Sequence, residues 1–242
     1  MFLYVAIAVS TFLLGISKGG LGGNLGTLIT VLMSLIMPVD QVLGLLLPIL
    51  IVCDVFAIAL YWKRWERRLV LLLIPGAVLG VTVGSLFMNH VSSDVLRHGL
   101  GIIVLLFVGY KILEPRVHRP MKYAPVGWHG WTAGSLSGFA SAVSHAGGAP
   151  VSIYLLMQGL TPHVYVATSA LFFAVLNWIK VPYYLFSNLI NLQLLSQLVW
   201  ILPCAPMGVW VGRWATDRLD KSTFDQIIIA LLGVSAMILI IR

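Results

Sequence analysis

Few side chains here can do chemistry, and those few stand beside glycines. Lys18 precedes Gly19-Gly20-Leu21-Gly22-Gly23-Asn24, and His145 precedes Ala146-Gly147-Gly148-Ala149-Pro150. Asp54 lies in the middle of an apolar stretch, while Asn177-Trp178 occupies the matching stretch of the other half, with Lys180 slightly beyond. Together, a cation, an imidazole and glycine-exposed backbone suit the binding of an anion. Glycine lets backbone approach a ligand and tolerates positive φ. Helices starting near Leu25 and Ala149 would aim unpaired N–H groups and positive dipole ends at the breaks. The candidate substrate contacts are Lys18, Gly19, Gly20, Gly22, Gly23, Asn24, Ser144, His145, Gly147, Gly148 and Trp178, with Ser17 and Ser141 as further neutral donors.

Each of these residues also has a plainer reading. The glycines can serve tight helix packing, Lys18 can snorkel to an interface, and a serine can bond the carbonyls of its own helix. His145 can be a neutral packing residue, and Trp178 can sit at a helix interface. Asp54 and His145 are candidates for proton coupling, because ionisable groups inside a membrane are functional candidates by default. Alternatively, Asp54 pairs with Lys18 or Lys180. Catalysis is not indicated: the chain has no HExxH pair, no GxSxG elbow and no carboxylates at catalytic spacing. No cofactor or metal is expected.

The elements that would position these residues are transmembrane helices. Of 242 residues, 60% are hydrophobic and 10% charged, a balance that a soluble globule of this size does not reach. The net charge of +7 collects in short loops between apolar runs, which argues for topology signals and against nucleic acid as a partner. Cys53 and Cys204 both fall inside apolar runs and read as packing residues. The start of the chain lacks a basic n-region and a cleavage site, so its first segment is expected to stay in the mature protein.

Helices long enough to cross the bilayer are expected at about 41–62, 69–88, 94–113, 163–187, 192–214 and 223–242. Two shorter pairs, about 1–16 with 25–37 and about 126–144 with 149–159, flank the glycine breaks. Each pair is either two tilted spans or a re-entrant hairpin. Irregular backbone at membrane depth is tolerated only where protein or a wet cavity satisfies it, so the breaks should face a cavity.

Basic clusters at Lys63, Arg64, Arg67 and Arg68, at Arg116, Arg119 and Lys122, and at Arg213, Arg218 and Lys221 mark the cytoplasmic side, with both termini outside. Sliding the chain on itself gives a match near an offset of about 124, where Gly23 falls on Gly147 and Pro38 on Pro162. Four residues further on, Pro75, Ala77, Gly80 and Gly84 align with Pro203, Ala205, Gly208 and Gly212. The fold class expected is an all-α integral membrane protein of two repeats, 1–113 and 126–242, joined by a cytoplasmic linker 114–125. The charge-based topology inverts one repeat against the other, because Pro38 then lies outside and Pro162 inside. Inverted repeats with broken helices mark secondary transporters, whose sites lie where the repeats meet.

The pattern resembles the sulfite exporter TauE/SafE family across essentially the whole chain. The resemblance rests on Gly15-Ile16-Ser17-Lys18-Gly19-Gly20-Leu21-Gly22-Gly23, on Gly138-Phe139 leading to Gly147-Gly148-Ala149-Pro150, and on the prolines that follow. The chain departs from it at Asn24 to Gly26, where members often carry a further glycine and a proline, and at the bulky His145. What the resemblance implies is transport of sulfite or a small organosulfonate across the bacterial inner membrane, and with no ATP-binding motif in the chain, ion or substrate gradients would drive it. The partners expected are the anion, membrane lipid and, as a candidate coupling ion, the proton. An anion channel or a carrier of small carboxylates is the alternative.

Overall fold

The computed structural model describes residues 2–87, 102, 105, 108–109, 127–190, 196 and 199–241. Most of these residues are helical, and none of them lies in a strand. Helix α1 runs Phe2–Gly20, α2 Gly26–Met33, α3 Val39–Leu60 and α4 Arg67–Phe87. In the second half α5 spans Gly127–Ser144, α6 Gly148–Met157, α7 Pro162–Phe186, α8 Cys204–Thr216 and α9 Lys221–Ile241, with a 3-10 turn Val199–Ile201 before α8. Five of these helices, α1, α3, α4, α7 and α9, are long and apolar enough to cross a membrane.

Glycine and alanine decide which helices touch. The closest pairings are α4 with α5 and α1 with α8, and each is a face of small residues. A Cβ added to Gly208 would lie 2.1 Å from the Phe12 carbonyl oxygen, and one added to Gly15 would lie 2.5 Å from the Ala205 oxygen. In the other pairing, a Cβ on Gly80 would lie 2.1 Å from the Ser135 oxygen and one on Gly138 2.4 Å from the Ala77 oxygen. No side chain fits between these backbones. Helices α3 and α7 then lie against each other between the two pairs, and α2 and α6 fold in from the breaks.

Several expected boundaries move. The first helix was expected to end near residue 16, but it continues through Lys18 to Gly20 and so becomes long enough to span. Its last residues are held by α8, because Gly19 and Gly20 pack on Val209 and Gly212. Within the span expected at 192–214, the described residues form the 3-10 turn and then the 13-residue α8, with Pro203 at its N-cap, and residues 191–195, 197 and 198 lie outside the described residues. Pro48, Pro75 and Pro182 by contrast sit inside long helices. The expected span 94–113 and the linker cluster Arg116, Arg119 and Lys122 fall mostly or wholly outside the described residues.

Candidate functional site

The two breaks meet. After Gly20 the chain turns through Gly22 and Gly23, both at positive φ, where a side chain would be strained and, at Gly22, would strike the Tyr165 ring at 2.5 Å. The second break is shorter, because α6 starts at Gly148 and only His145 to Gly147 are irregular. His145 itself adopts φ 52°, an uncommon left-handed conformation for a histidine. A Cβ on Gly148 would touch the Asn24 side chain and the Gly23 carbonyl, and one on Gly26 would touch the His145 carbonyl. Neither α2 nor α6 receives a side-chain cap at its first turn.

Beside this junction sits a buried charged cluster. Lys18 Nζ lies 2.6 Å from Asp54 Oδ1, with the two side chains 4% and 1% exposed, and over the Phe173 ring at 4.4 Å. Asn177 Nδ2 donates to the other oxygen, Asp54 Oδ2, at 2.6 Å. Lys180, fully buried on α7, donates to Ser141 Oγ at 3.0 Å and reaches the Ser141 carbonyl at 3.5 Å and His145 Nδ1 at 3.1 Å. His145 Nε2 faces the Leu43 carbonyl at 3.2 Å. A carbonyl only accepts, so Nε2 carries the imidazole hydrogen and Nδ1 accepts from Lys180. Among the described residues, Lys18, Asp54, His145 and Lys180 are the buried acidic, basic and imidazole side chains.

A second, uncharged network fixes the first break. The Tyr165 hydroxyl donates to Ser152 Oγ at 2.6 Å, which donates to Asn24 Oδ1 at 2.7 Å, while Asn24 Nδ2 donates to the Leu21 carbonyl at 2.7 Å. Ser17 Oγ accepts from the Leu25 N–H at 3.0 Å, and Ser137 Oγ donates to the Gly147 carbonyl at 2.7 Å. Two tyrosines hold the helices entering the breaks: Tyr61 donates to the Gly19 carbonyl at 2.7 Å and Tyr184 to the Ala142 carbonyl at 2.8 Å. At the basic end of the bundle, Arg213 donates to Asp217 and to the Leu60 carbonyl and stacks on Tyr61 at 4.5 Å. His163 also bonds Asp217, at 2.6 Å. Slight burial works upward on the Asp217 carboxyl, but the His163 and Arg213 bonds outweigh it and hold it below its ordinary range.

The structure brings Lys18, Asp54, Gly23, Asn24, His145, Gly147 and Gly148 together. Gly19 and Gly20 lie instead in the α1–α8 seam, and Gly22 packs under Tyr165. Ser144 bonds the Ala140 carbonyl of its own helix at 3.2 Å. Trp178 is 60% exposed, away from Asn177 and Lys180, so it does not wall the junction. Sequence reasoning left out Ser152 and Tyr165, named Ser141 as a neutral donor, and noted Asn177 and Lys180 only as the counterpart and a possible partner of Asp54. Lys180 carried a usable signal: a cation well inside an apolar 25-residue helix meets the criterion that singled out Asp54. An apolar cavity of about 220 Å³ lies between α1, α3 and residues 199–202, lined by Ile7, Thr11, Leu45 and Ile49 among others. None of the charged residues lines it.

The sulfite exporter TauE/SafE family model matches residues 7–239 of the chain. No curated protein and no solved structure gives a match. With nearly its whole length covered, the chain belongs to the TauE/SafE family, a family of membrane transporters for sulfite or related anions.

Proposed function

We propose that this member of the TauE/SafE family is a secondary transporter that carries sulfite or an organosulfonate across the bacterial inner membrane by alternating access. The observation that carries the reading is Lys180. Its ammonium is fully buried with three neutral partners and no carboxylate, beside a Lys18–Asp54 pair already neutral in sum. An ion taken out of water costs several kcal/mol in real proteins unless a counter-ion joins it. An entering anion is that counter-ion. The uncapped first turns of α2 and α6 at the junction add N–H donors and positive dipole ends. Sulfite and sulfonates offer three oxygens to accept from such a mixed set of ammonium, hydroxyl and backbone donors.

We read the chain as two inverted repeats, 1–113 and 126–242, joined by 114–125. Asp54 and Asn177, which face each other, stand 123 positions apart. The same spacing relates Lys18 to Ser141, Gly15 to Gly138 and Tyr61 to Tyr184, and it relates the two tyrosines' acceptors, Gly19 and Ala142. The α1–α8 and α4–α5 seams answer each other in the same way. These correspondences support a two-fold arrangement in which Tyr61 clasps the site from one side and Tyr184 from the other. Opening one clasp at a time gives alternating access, and the burial of Lys180 fits a state in which both are shut. Asp54 and His145 are the groups placed to exchange a proton as the anion arrives.

Uptake of labelled sulfite and ethanesulfonate into proteoliposomes tests the reading. Saturable uptake with counterflow, lost in Lys180→Met while the protein still purifies as a single species, is the expected result. Flux that rises linearly with concentration points to a channel. No uptake of sulfite or of any sulfonate refutes the proposal.

A further inference from the structure

The hydrogen bonds around the junction accommodate a neutral His145 and an ammonium at Lys180, and with those states a charge count follows. With a neutral ring, His145 donates through Nε2 to Leu43 and accepts at Nδ1 from Lys180. Lys180 is surrounded by Ser141 Oγ, the Ser141 carbonyl and His145 Nδ1, three acceptors for the three hydrogens of an ammonium. Lys18 and Asp54 cancel at 2.6 Å, and Asn177, which occupies the place facing Asp54, brings no charge. Among the described residues no other charged side chain is buried there. With Lys180 as an ammonium, one positive charge is left over among the described residues.

Building on the anion-transport reading, we propose that the site selects monovalent anions, with Asp54 and Asn177 as the pair that sets this valence. A monoanion brings the cluster to neutrality, so the loaded site can be shut away from water without a net charge. A dianion of the same size leaves one negative charge uncompensated inside the protein, the arrangement that is most costly there. Asp54 acts without touching the substrate: it consumes one of the two lysine charges. Asn177 holds the Asp54 carboxylate while adding nothing to the sum, and an aspartate in its place would consume the second charge.

Ethanesulfonate and sulfoacetate test this, since they share the sulfonate head and differ little in size, but carry one and two charges at neutral pH. Binding to the full-length protein in detergent, followed by thermal shift at fixed ionic strength, should favour ethanesulfonate by at least about tenfold. Asp54→Asn leaves two cations and should turn the preference toward sulfoacetate. Asn177→Asp brings the sum to zero and should weaken ethanesulfonate by at least about tenfold. This second variant keeps the test decisive if Asp54→Asn does not fold. Sulfoacetate binding as tightly as ethanesulfonate in the native protein, or unchanged ethanesulfonate binding in Asn177→Asp, overturns the proposal. Failure of the underlying transport reading looks different, because then no anion of either valence binds.

Discussion

Replacing Lys18 with methionine removes one partner from the Lys18–Asp54 pair and leaves a carboxylate with 1% exposure whose remaining hydrogen-bond donor is Asn177. Breaking a buried pair from one side costs about 3–5 kcal/mol, because the remaining charge is neither solvated nor paired. For a chain of this length each kcal/mol moves the melting temperature by about 2–4 °C, so Lys18→Met should melt roughly 6–20 °C below the parent. The double variant Lys18→Met/Asp54→Leu removes both charges together. It should recover a large part of that loss, since replacing a buried pair by apolar residues of similar volume is often neutral. Recovery stays incomplete because the Asn177 amide loses its acceptor, a penalty of about 1–3 kcal/mol. Melting curves of detergent-purified protein followed by size-exclusion fluorescence give the comparison. A single variant within about 2 °C of the parent, or a double variant melting below the single, would refute the assignment of this pair to the interior.

Gly208→Ala should lower stability by about 1–3 kcal/mol or prevent folding, as its Cβ has no room beside Phe12, whereas Gly127→Ala, whose nearest neighbour is a leucine methyl at 3.5 Å, should stay within about 0.5 kcal/mol; expression and melting temperature read both. Tyr61→Phe and Tyr184→Phe should each weaken one clasp by about 1–3 kcal/mol and make cysteines near the junction more reactive to impermeant reagents from opposite faces of the membrane; reactivity from the same face in both would end the inverted-repeat reading. Asp220 accepts from the Ser222 and Thr223 N–H groups at the start of α9, and its hydrogen bonds from Thr223 hold the carboxyl below its ordinary range. A depressed carboxyl stabilises the folded state above the unfolded pKa of about 4 and loses that contribution as pH falls through the folded value. The melting-temperature gap between the parent and Asp220→Ala should therefore be constant near neutrality and close on acidification; a gap that widens in acid contradicts the cap.

How much of this was legible beforehand follows from physical range. Hydropathy is a local signal, so the long helices α3, α4, α7 and α9 and the glycine breaks could be placed from sequence. The alignment of Pro75 to Gly84 with Pro203 to Gly212 marked both small-residue faces. It did not show that they close on α5 and α1, because a glycine face says that something approaches but not what. The end of α1 was misplaced for the same reason: Gly19 and Gly20 weaken a helix on their own and persist because α8 packs against them. In the site, Lys18, Asp54 and His145 stood out as polar residues in apolar surroundings. Trp178 was drawn in by its neighbour Asn177, although adjacent residues on a helix point in different directions. That Asp54 would choose Lys18 over Lys180 depends on distances between helices that no local pattern encodes.

On the two-repeat reading proposed above, the correspondence of Lys18 with Ser141 and of Asp54 with Asn177 has a consequence in parity. An assembly of two identical chains repeats every ionised side chain, so the total around its axis is always even. A single surplus charge on that axis is out of reach for such a dimer, however its subunits are mutated. Joining the halves in one polypeptide lets each position and its counterpart differ, and an odd total becomes possible. The covalent link between halves thus confers a choice of interior charge that symmetry would withhold.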